Sequence, residues 1–310
     1  MTIHKPVLLH ESIEGLKLKK GDTVVDATLG GGGHSSEIFK IIGKSGKLIA
    51  IDQDSAAIEN FKKQLSSEVD NVFLVKDNFA NLQNILGGVR ILAVDAILAD
   101  LGYSSIQLED EARGMSFLQN SILDMRLDRE QELTAGKIVN EYGVAELERI
   151  FKDYGEERFA RAIARKIYQQ RSLKPIETTK ELAEIINASV PERYKHGRIN
   201  PATRTFQALR IETNRELEVL EKFIPQAIEA LKPGGRLAII SFHSLEDRIV
   251  KDIFRENARG CICPPDFPKC VCDRKEKIRI ITQKPIVPNA LEIRENPRSR
   301  SAKLRIAEKI

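Results

Sequence analysis

The chain has 310 residues, 42% of them hydrophobic and 30% charged, with a formal net charge of +4; this is typical of a soluble globular protein with one large domain or two smaller ones. Residues 1–10 lack the apolar core of a signal peptide, and no run approaches the roughly 18 apolar residues of a membrane span. The sequence therefore argues against a secreted or membrane-spanning protein and predicts a cytoplasmic one with no membrane partner.

The positive charge is concentrated in three segments. Residues 158–174 carry six Lys and Arg, residues 193–210 carry five, and neither segment contains an acid, whereas residues 274–310 carry eleven against four acids. Each segment alone is compatible with a solvated helix face. Because a polyanion-binding surface requires concentrated positive charge, the three together favour a nucleic acid partner.

The first predicted strand leads into a glycine-rich turn. The apolar run that begins at Thr23 predicts a strand, the four glycines 30–33 predict a tight turn, and the amphipathic stretch Ser35–Ile42 predicts a helix. Glycines let the backbone approach a ligand closely, and the first turn of a helix offers N–H groups that no helical carbonyl accepts. The pattern predicts a nucleotide-like ligand, with an ordinary glycine loop as the alternative.

A carboxylate follows at the end of the second predicted strand. The run Lys47–Asp52 places Asp52 19 residues after Gly33, where folds of this type hold an acid that accepts from ribose hydroxyls. Together the turn and Asp52 predict a nucleoside site. A dinucleotide fingerprint would require glycine at position 35, where the chain has Ser35, so an NAD-dependent oxidoreductase fits poorly.

The alternation of strands and helices continues to Asp100. Asp54 is predicted to cap a helix that ends near Leu65, and further strands are predicted at 72–75 and 93–100. Apolar strands alternating with helices predict a parallel sheet covered on both faces, with ligands beyond the carboxyl ends of the strands. Acids stand near four such ends, namely Asp26, Asp52, Asp77 and Asp100.

The alternation then stops and resumes near the end of the chain. Residues 109–212 show helical patterns without a convincing core strand, which predicts an inserted helical domain between the two halves, 1–108 and 213–310, of the main α/β domain. Later strands are predicted at 236–242, 277–282 and 302–307.

One helix of the insertion has two distinct faces. The apolar face carries Phe159, Ile163 and Ile167, and the basic face carries Arg158, Arg161 and Arg165. We expect the first face to pack and the second to meet phosphates, which makes the insertion the predicted RNA-binding domain.

Several longer stretches resemble one enzyme family. Asp26, four residues before the glycines, resembles the first motif of S-adenosylmethionine methyltransferases. The other stretches are His4–Leu9, Asp100–Leu108, Pro201–Ile211, Ser241–Arg248 and Asn296–Ser301. Over nearly its whole length the chain resembles the bacterial small-subunit ribosomal RNA cytosine-N4 methyltransferases of the MraW type. The resemblance implies a class I methyltransferase fold: a Rossmann-like, mostly parallel sheet with an antiparallel terminal hairpin and an inserted all-helical domain.

The resemblance also implies an activity and a set of site residues. The implied reaction moves a methyl group from S-adenosylmethionine to N4 of a specific cytidine in the decoding region of 16S ribosomal RNA, within the RNA or the small ribosomal subunit. The implied cofactor contacts are Gly32, Gly33 and His34 at the turn, Asp52 at the ribose, Phe79 against the adenine, and Asp100 and Gln107 at the methionine end. At Tyr103 and Ile106 the chain departs from the family, which usually has a small aliphatic residue and a proline there.

Asp100 is also the predicted catalytic residue, because a carboxylate can accept hydrogen bonds from the N4 amine. Tyr103, His243 and residues 296–301 are further candidates for lining the base pocket. Two alternatives remain open: methylation of a small molecule or protein, and a non-catalytic RNA-binding assembly factor that senses the cofactor. The sequence is compatible with naked RNA or an assembled subunit as substrate, and with a homodimer.

The four cysteines, Cys261, Cys263, Cys270 and Cys272, fall within twelve residues. Four thiolates this close could hold zinc, but the Cys-x-Cys spacing is tighter than that of usual zinc motifs. Disulfides are disfavoured in a reducing cytoplasm. The spacing favours reduced thiols in a surface loop, so no metal site is predicted.

Overall fold

A seven-stranded mixed sheet forms the core of the first of two compact units. The computed structural model describes residues 6–65, 69–103, 107–108, 110–197, 199–261, 263, 271–272 and 274–310. The strands are β1 (Thr23–Asp26), β2 (Lys47–Asp52), β3 (Val72–Lys76), β4 (Val94–Asp100), β5 (Leu231–Ser241), β6 (Ile278–Ile280) and β7 (Lys303–Lys309). Their order is β3-β2-β1-β4-β5-β7-β6. Strands β1 to β5 pair in parallel, and β7 runs antiparallel to both β5 and β6, which confirms the predicted sheet and its closing hairpin.

Helices connect the strands and form most of the second unit. In chain order they are α1 (Leu9–Leu16), α2 (Gly33–Ile42), α3 (Ser55–Gln64), α4 (Leu82–Gly88), α5 (Ala135–Glu141), α6 (Val144–Asp153), α7 (Ala160–Arg171), α8 (Thr179–Ala188), α9 (Glu192–Lys195), α10 (Ala202–Asn214), α11 (Glu216–Ala230), α12 (Ser244–Asn257) and α13 (Ala290–Glu295). Asp54 caps α3 as predicted, since its side chain accepts from Ala56 N–H. Over the part of the chain that the structure describes, a membrane-spanning helix is not found.

The sheet is buried on both faces because its strands are apolar at successive positions. Along β2, Leu48 and Ala50 face one hydrophobic cluster, whereas Ile49 and Ile51 face another, and all four are fully buried. Full burial of one Leu or Ile side chain contributes roughly 1.5–3 kcal/mol. This double burial fixes the register of the sheet, because a slip by one residue would exchange the two faces.

The two compact units have different architectures. The first comprises Met1–Gly102 and Leu217–Ile310, and the second comprises Tyr103–Glu216. The second unit has its own core, in which Leu147, Phe151, Ile163 and Leu182 are fully buried. Within its described residues the only β pairing is an isolated bridge, Ile122 to Thr178, so the insertion is helical.

Helix α7 has a buried and a basic face, but it begins two residues later than the predicted faces require. Ile163 and Ile167 are fully buried in the core of the second unit, whereas Arg161 and Arg165 are exposed. Phe159 is the half-buried N-cap of α7, and the exposed Arg158 precedes the helix. The spacing of three and four residues accounts for this separation, because such residues share one side of a helix.

Candidate active site

The turn between β1 and α2 brings backbone, rather than side chains, to the edge of the sheet. Gly30 and Gly32 have φ angles of 50° and 78°, in the left-handed region that favours glycine. A Cβ at Gly32 would lie 2.3 Å from the Phe61 ring, and one at Gly33 would lie 2.9 Å from Pro6 Cγ. Gly32 is also the N-cap of α2, and no side chain caps that helix. The start of α2 is therefore left to a ligand or to solvent.

A buried acid secures this turn. Asp26, at the end of β1, accepts from Ser35 Oγ at 2.6 Å and from Thr28 N–H at 3.2 Å. Burial raises the pKa of Asp26, although both hydrogen bonds oppose the shift. Position 35 holds serine rather than the glycine of a dinucleotide fingerprint, and its hydroxyl ties α2 to β1. The serine thus has a structural role that glycine could not fill.

Asp52 ends β2 beside the same turn. Its Oδ2 accepts from Gly30 N–H and its Oδ1 from Asp54 N–H, both at 2.8 Å. Burial, with smaller contributions from the charges of Asp54 and Asp26, raises the pKa of Asp52 to about 6. A carboxylate oxygen has two acceptor sites. Each Asp52 oxygen can therefore accept one more hydrogen bond. The two hydroxyls of a vicinal diol could each donate one.

The end of β3 carries Asn78 and Phe79. Asn78 Nδ2 donates to Gln53 Oε1 at 2.9 Å, which joins the residues that follow β3 and β2. The half-buried ring of Phe79 packs edge-on against Phe223, with centroids 4.9 Å apart and planes at 73°. This contact fixes the ring at the carboxyl edge of the sheet, and its stacking on adenine stays a prediction.

Asp100 ends β4 and has an oxygen atom without a partner. Its backbone N–H donates to Thr28 Oγ1 at 2.6 Å, and its Oδ2 lies 3.6 Å from His34 Nδ1. Among the described residues, the buried Oδ1 has no hydrogen-bond partner. A buried acceptor left unsatisfied costs about 1–3 kcal/mol. Such an atom in a folded protein calls for an explanation, and a ligand donor supplies one.

The charge state of Asp100 depends on its surroundings. Burial, together with the negative charges of Asp26 and Glu246, raises the pKa of Asp100 well above its usual value. His34 lies on the other side, with Nε2 3.2 Å from the carbonyl oxygen of Val7. A hydrogen bond to that carbonyl places a proton on Nε2 and turns Nδ1 towards Asp100. A cationic or amine ligand at Asp100 would offset the neighbouring negative charges.

The sequence analysis did not identify two residues that surround Asp100. The first is Thr28, which holds the backbone of Asp100. The second is the buried Glu246, whose Oε2 accepts from the N–H groups of Phe242 and His243 at 2.8 and 3.3 Å. His243 is the N-cap of α12, with its Nε2 3.1 Å from Glu246 Oε1. The spacing of His243 and Glu246 is that of a capping box, and this pattern could have identified Glu246 from the sequence.

The remaining predicted site residues are distributed as follows. Gln107 is buried and belongs to the second unit, while the departure at Ile106 lies outside the described residues. Tyr103 also belongs to the second unit, where the Arg210 guanidinium lies 4.8 Å from its ring centroid. Residues 297–301 form a 3-10 turn in the first unit with Ser299 buried. The cofactor role of Gln107 and the base-pocket roles of Tyr103 and residues 296–301 stay predictions.

The basic segments differ in how much charge they leave exposed. In the C-terminal segment, Arg305 and Lys303 both pair with Asp247, at 2.6 and 2.9 Å. In the second segment, Arg210 pairs with Glu216 through two hydrogen bonds of 2.7 and 2.8 Å. The charges of these three side chains are paired with acids of the protein itself and stabilise the fold. The exposed arginines of α7 thus become the strongest candidates for phosphate contacts.

The basic face of α7 also carries an aromatic ring. Arg161, Arg165 and Tyr168 follow one another at helical spacing, and all three are exposed. Among the described residues neither arginine forms a salt bridge. Arg171 lies with its guanidinium 4.8 Å from the Tyr168 ring centroid. Exposed arginines interleaved with a ring provide phosphate contacts and a stacking surface together.

The site in the first unit fits one kind of ligand. The uncapped start of α2 offers N–H donors, Asp52 offers acceptors for a diol, and Asp100 offers a buried acceptor for a cation or amine. S-adenosylmethionine carries a ribose diol, an ammonium and a sulfonium. The donor and acceptor set of the residues present therefore fits this molecule better than it fits a pyrophosphate-containing dinucleotide.

Comparisons with known proteins agree with this interpretation. The model of the MraW methylase family matches residues 1–310. The chain is 53% identical over 310 residues to the ribosomal RNA small subunit methyltransferase H of Halothermothrix orenii, covering 100% of this chain and 99% of that protein. It is 51% identical over 307 residues to the protein of the same name from Lachnospira eligens, covering 99% and 98% of the two chains.

Proposed function

Because the chain belongs to the MraW methylase family, we propose that it transfers a methyl group from S-adenosylmethionine to N4 of one cytidine in the decoding region of 16S ribosomal RNA. The relatives that it matches over nearly their whole length are named ribosomal RNA small subunit methyltransferases. The observation that carries the proposal is the buried Asp100 Oδ1, an acceptor without a partner among the described residues.

The cofactor supplies an electrophilic methyl group on a sulfonium. In the proposal, Asp52 accepts from the ribose hydroxyls through the two oxygens that Gly30 N–H and Asp54 N–H already orient. The backbone at Gly32 and Gly33 could lie against the cofactor because side chains are absent there. Phe79 would present its ring to the purine, and Phe223 packs edge-on against that ring.

Asp100 would act on the reacting amine. The N4 nitrogen of cytosine is a poor nucleophile because its lone pair is delocalised into the ring. A hydrogen bond from the amine to a fixed carboxylate favours a pyramidal nitrogen and directs its lone pair towards the methyl group. The hydrogen bond from Asp100 N–H to Thr28 Oγ1, 2.6 Å long, holds the end of β4 in place for this purpose.

Proton release does not need a separate strong base. Methylation makes the amine nitrogen cationic, so its proton becomes acidic and leaves readily after the transfer. Burial and the charges of Asp26 and Glu246 raise the pKa of Asp100, which makes its carboxylate a ready proton acceptor at that moment. Asp100 thus first accepts a hydrogen bond from the amine and then takes the proton.

The RNA would be held by the second unit. A base in folded RNA must leave its stack to reach a buried acceptor such as Asp100, so the protein must also bind the RNA backbone. Arg161 and Arg165 would contact phosphates, and Tyr168, between Arg165 and Arg171, would provide a stacking surface.

The test of the reaction uses labelled S-adenosylmethionine and small ribosomal subunits from cells that lack the native modification. We expect wild type and Asp252→Asn, a control at an exposed acid, to label the 16S RNA. Asp100→Asn should lose labelling while keeping its fold. Labelling by Asp100→Asn at the wild-type rate would refute the role of Asp100, and no labelling of subunits or naked RNA by wild type would refute the function.

The test of the RNA surface uses charge reversal. A double variant, Arg161→Glu with Arg165→Glu, should weaken binding to 16S RNA. A plot of log affinity against log salt should also become less steep by roughly 1.4–1.8, because each of the two lost phosphate contacts contributes about 0.7–0.9 to the steepness. Reversing Lys62 and Lys63, exposed on α3, makes the same change in net charge. Equal weakening in both double variants would show that only net charge matters and would contradict a specific α7 surface.

A further inference from the structure

The loop between α12 and β6 brings together three of the four cysteines. The Sγ atoms of Cys261, Cys263 and Cys272 all lie within 4.8 Å of one another, and the three residues are thiols. Cys270 lies outside the described residues. The methyltransferase reaction uses none of these side chains, so their convergence calls for an explanation of its own.

The distances suit a tetrahedral metal ion. Cys261 Sγ and Cys272 Sγ are 3.7 Å apart. Zinc binds thiolate sulfur at about 2.3 Å, and two ligands of a tetrahedral ion at that distance are separated by about 3.8 Å. Zinc is usually four-coordinate, so three thiolates would leave its fourth position to one further ligand, such as a water molecule.

A backbone hydrogen bond supports the thiolate form of one sulfur. Val271 N–H donates to Cys263 Sγ at 3.4 Å, across a separation of eight residues. An N–H donor stabilises negative charge on sulfur, and hydrogen bonds of this kind orient the ligands of metal sites. The contact ties Val271 to Cys263, and the neighbouring Cys272 has its Sγ 3.7 Å from Cys261 Sγ.

The base of the loop is closed by independent contacts. Lys277 N–H donates to the carbonyl oxygen of Asn257 at 2.9 Å, and Arg274 Nη2 lies 3.4 Å from Glu256 Oε1. A metal clip across such a loop stabilises the fold because it removes conformations from the unfolded chain.

We infer that Cys261, Cys263 and Cys272 bind one zinc ion through their thiolates, as a structural site that closes the loop between α12 and β6. The site is separate from the acids at the carboxyl edge of the sheet. Spacing alone favoured reduced thiols without a metal. The positions of the three sulfur atoms and the N–H donor to Cys263 now favour zinc.

The test measures zinc in the full-length protein, purified under reducing conditions and dialysed against metal-free buffer. Mass spectrometry of the metal should find about one zinc per chain in wild type and in Val271→Ser, a control in the same loop that keeps every thiol and the backbone donor. Cys263→Ser and Cys272→Ser should bind zinc more than about 100-fold more weakly against a competing chelator, since even outer-shell partners contribute about 10- to 100-fold.

A second measurement uses cobalt. Adding Co²⁺ to the metal-free protein should produce thiolate-to-cobalt charge-transfer absorption in wild type and in Val271→Ser, and less of it in each Cys→Ser variant. Circular dichroism and cofactor binding confirm that the variants are folded. Less than about 0.1 zinc per chain in wild type, or unchanged zinc affinity in both Cys→Ser variants, would overturn the inference. A disulfide between any two of the three thiols in the reduced protein would also overturn it.

Discussion

The pKa of Asp52 makes cofactor binding depend on pH. In the proposed complex, Asp52 accepts from ribose hydroxyls, which requires its carboxylate form. Burial, with the charges of Asp54 and Asp26, raises its pKa to about 6. The carboxylate fraction is then about 0.9 at pH 7 and about 0.1 at pH 5. Asp52 alone should therefore weaken cofactor binding about tenfold between pH 7 and pH 5.

The assay is calorimetric titration with S-adenosylhomocysteine, the stable reaction product, from pH 5 to pH 8. Asp52→Asn should lose about 1.5–3 kcal/mol of binding free energy at pH 7, or roughly 10- to 150-fold in affinity, because hydrogen bonds to a charged acceptor are lost. Its affinity should also change less with pH. Asp100 adds its own pH dependence to both proteins, so the informative quantity is the difference between the two curves.

That difference should shrink about tenfold as the pH falls from 7 to 5, because wild type loses its carboxylate and the variant has none to lose. Asp252→Asn, at an exposed acid, should follow wild type throughout. Parallel curves for wild type and Asp52→Asn would refute the reasoning, since they would mean that Asp52 is already ionised at pH 5 or does not contact the ligand.

Three further predictions concern the ligand-free protein. Asp100→Asn should gain thermal stability relative to wild type as the pH rises from 5 to 8, because a raised carboxyl pKa contributes stability that is fully present below the usual value of 3.8 and is lost as the pH rises towards the folded-state value. Gly32→Ala should lower the free energy of unfolding in urea by roughly 1–3 kcal/mol, since its Cβ would meet Phe61, whereas Gly87→Ala, with open space around it, should not. Ser35→Ala should cost about 1–3 kcal/mol in the same assay, because buried Asp26 loses its hydroxyl donor.

The positions of most strands along the chain were predictable because the hydrophobic pattern is local. Apolar runs interrupted by helical periodicity place β1 to β4, and Asp52 and Asp100 end β2 and β4 as predicted. Helix α12 begins at Ser244 and ends at Asn257, and a capping box formed by His243 and Glu246 opens it. The prediction of β5 began too late: the strand starts at Leu231 and includes the Lys-Pro-Gly-Gly stretch, where glycines normally indicate a turn.

The electrostatics of the site could not be predicted from patterns. Glu246 raises the pKa of Asp100, although 145 residues separate the two in the sequence. Likewise, the basic character of the C-terminal segment suggested RNA contacts, but Arg305 and Lys303 pair with Asp247 on α12. Such pairings follow from the tertiary fold, which periodicity does not encode.

The most direct test of the proposed function is the identity of the methylated nucleoside. After reaction with labelled S-adenosylmethionine and small subunits that lack the native modification, the 16S RNA is digested to nucleosides and to oligonucleotides for mass spectrometry. We predict a single product, N4-methylcytidine, at one position in the decoding region. A methyl group on a ring carbon, on a ribose hydroxyl or on another base would contradict the proposed function of Asp100 as acceptor for an exocyclic amine.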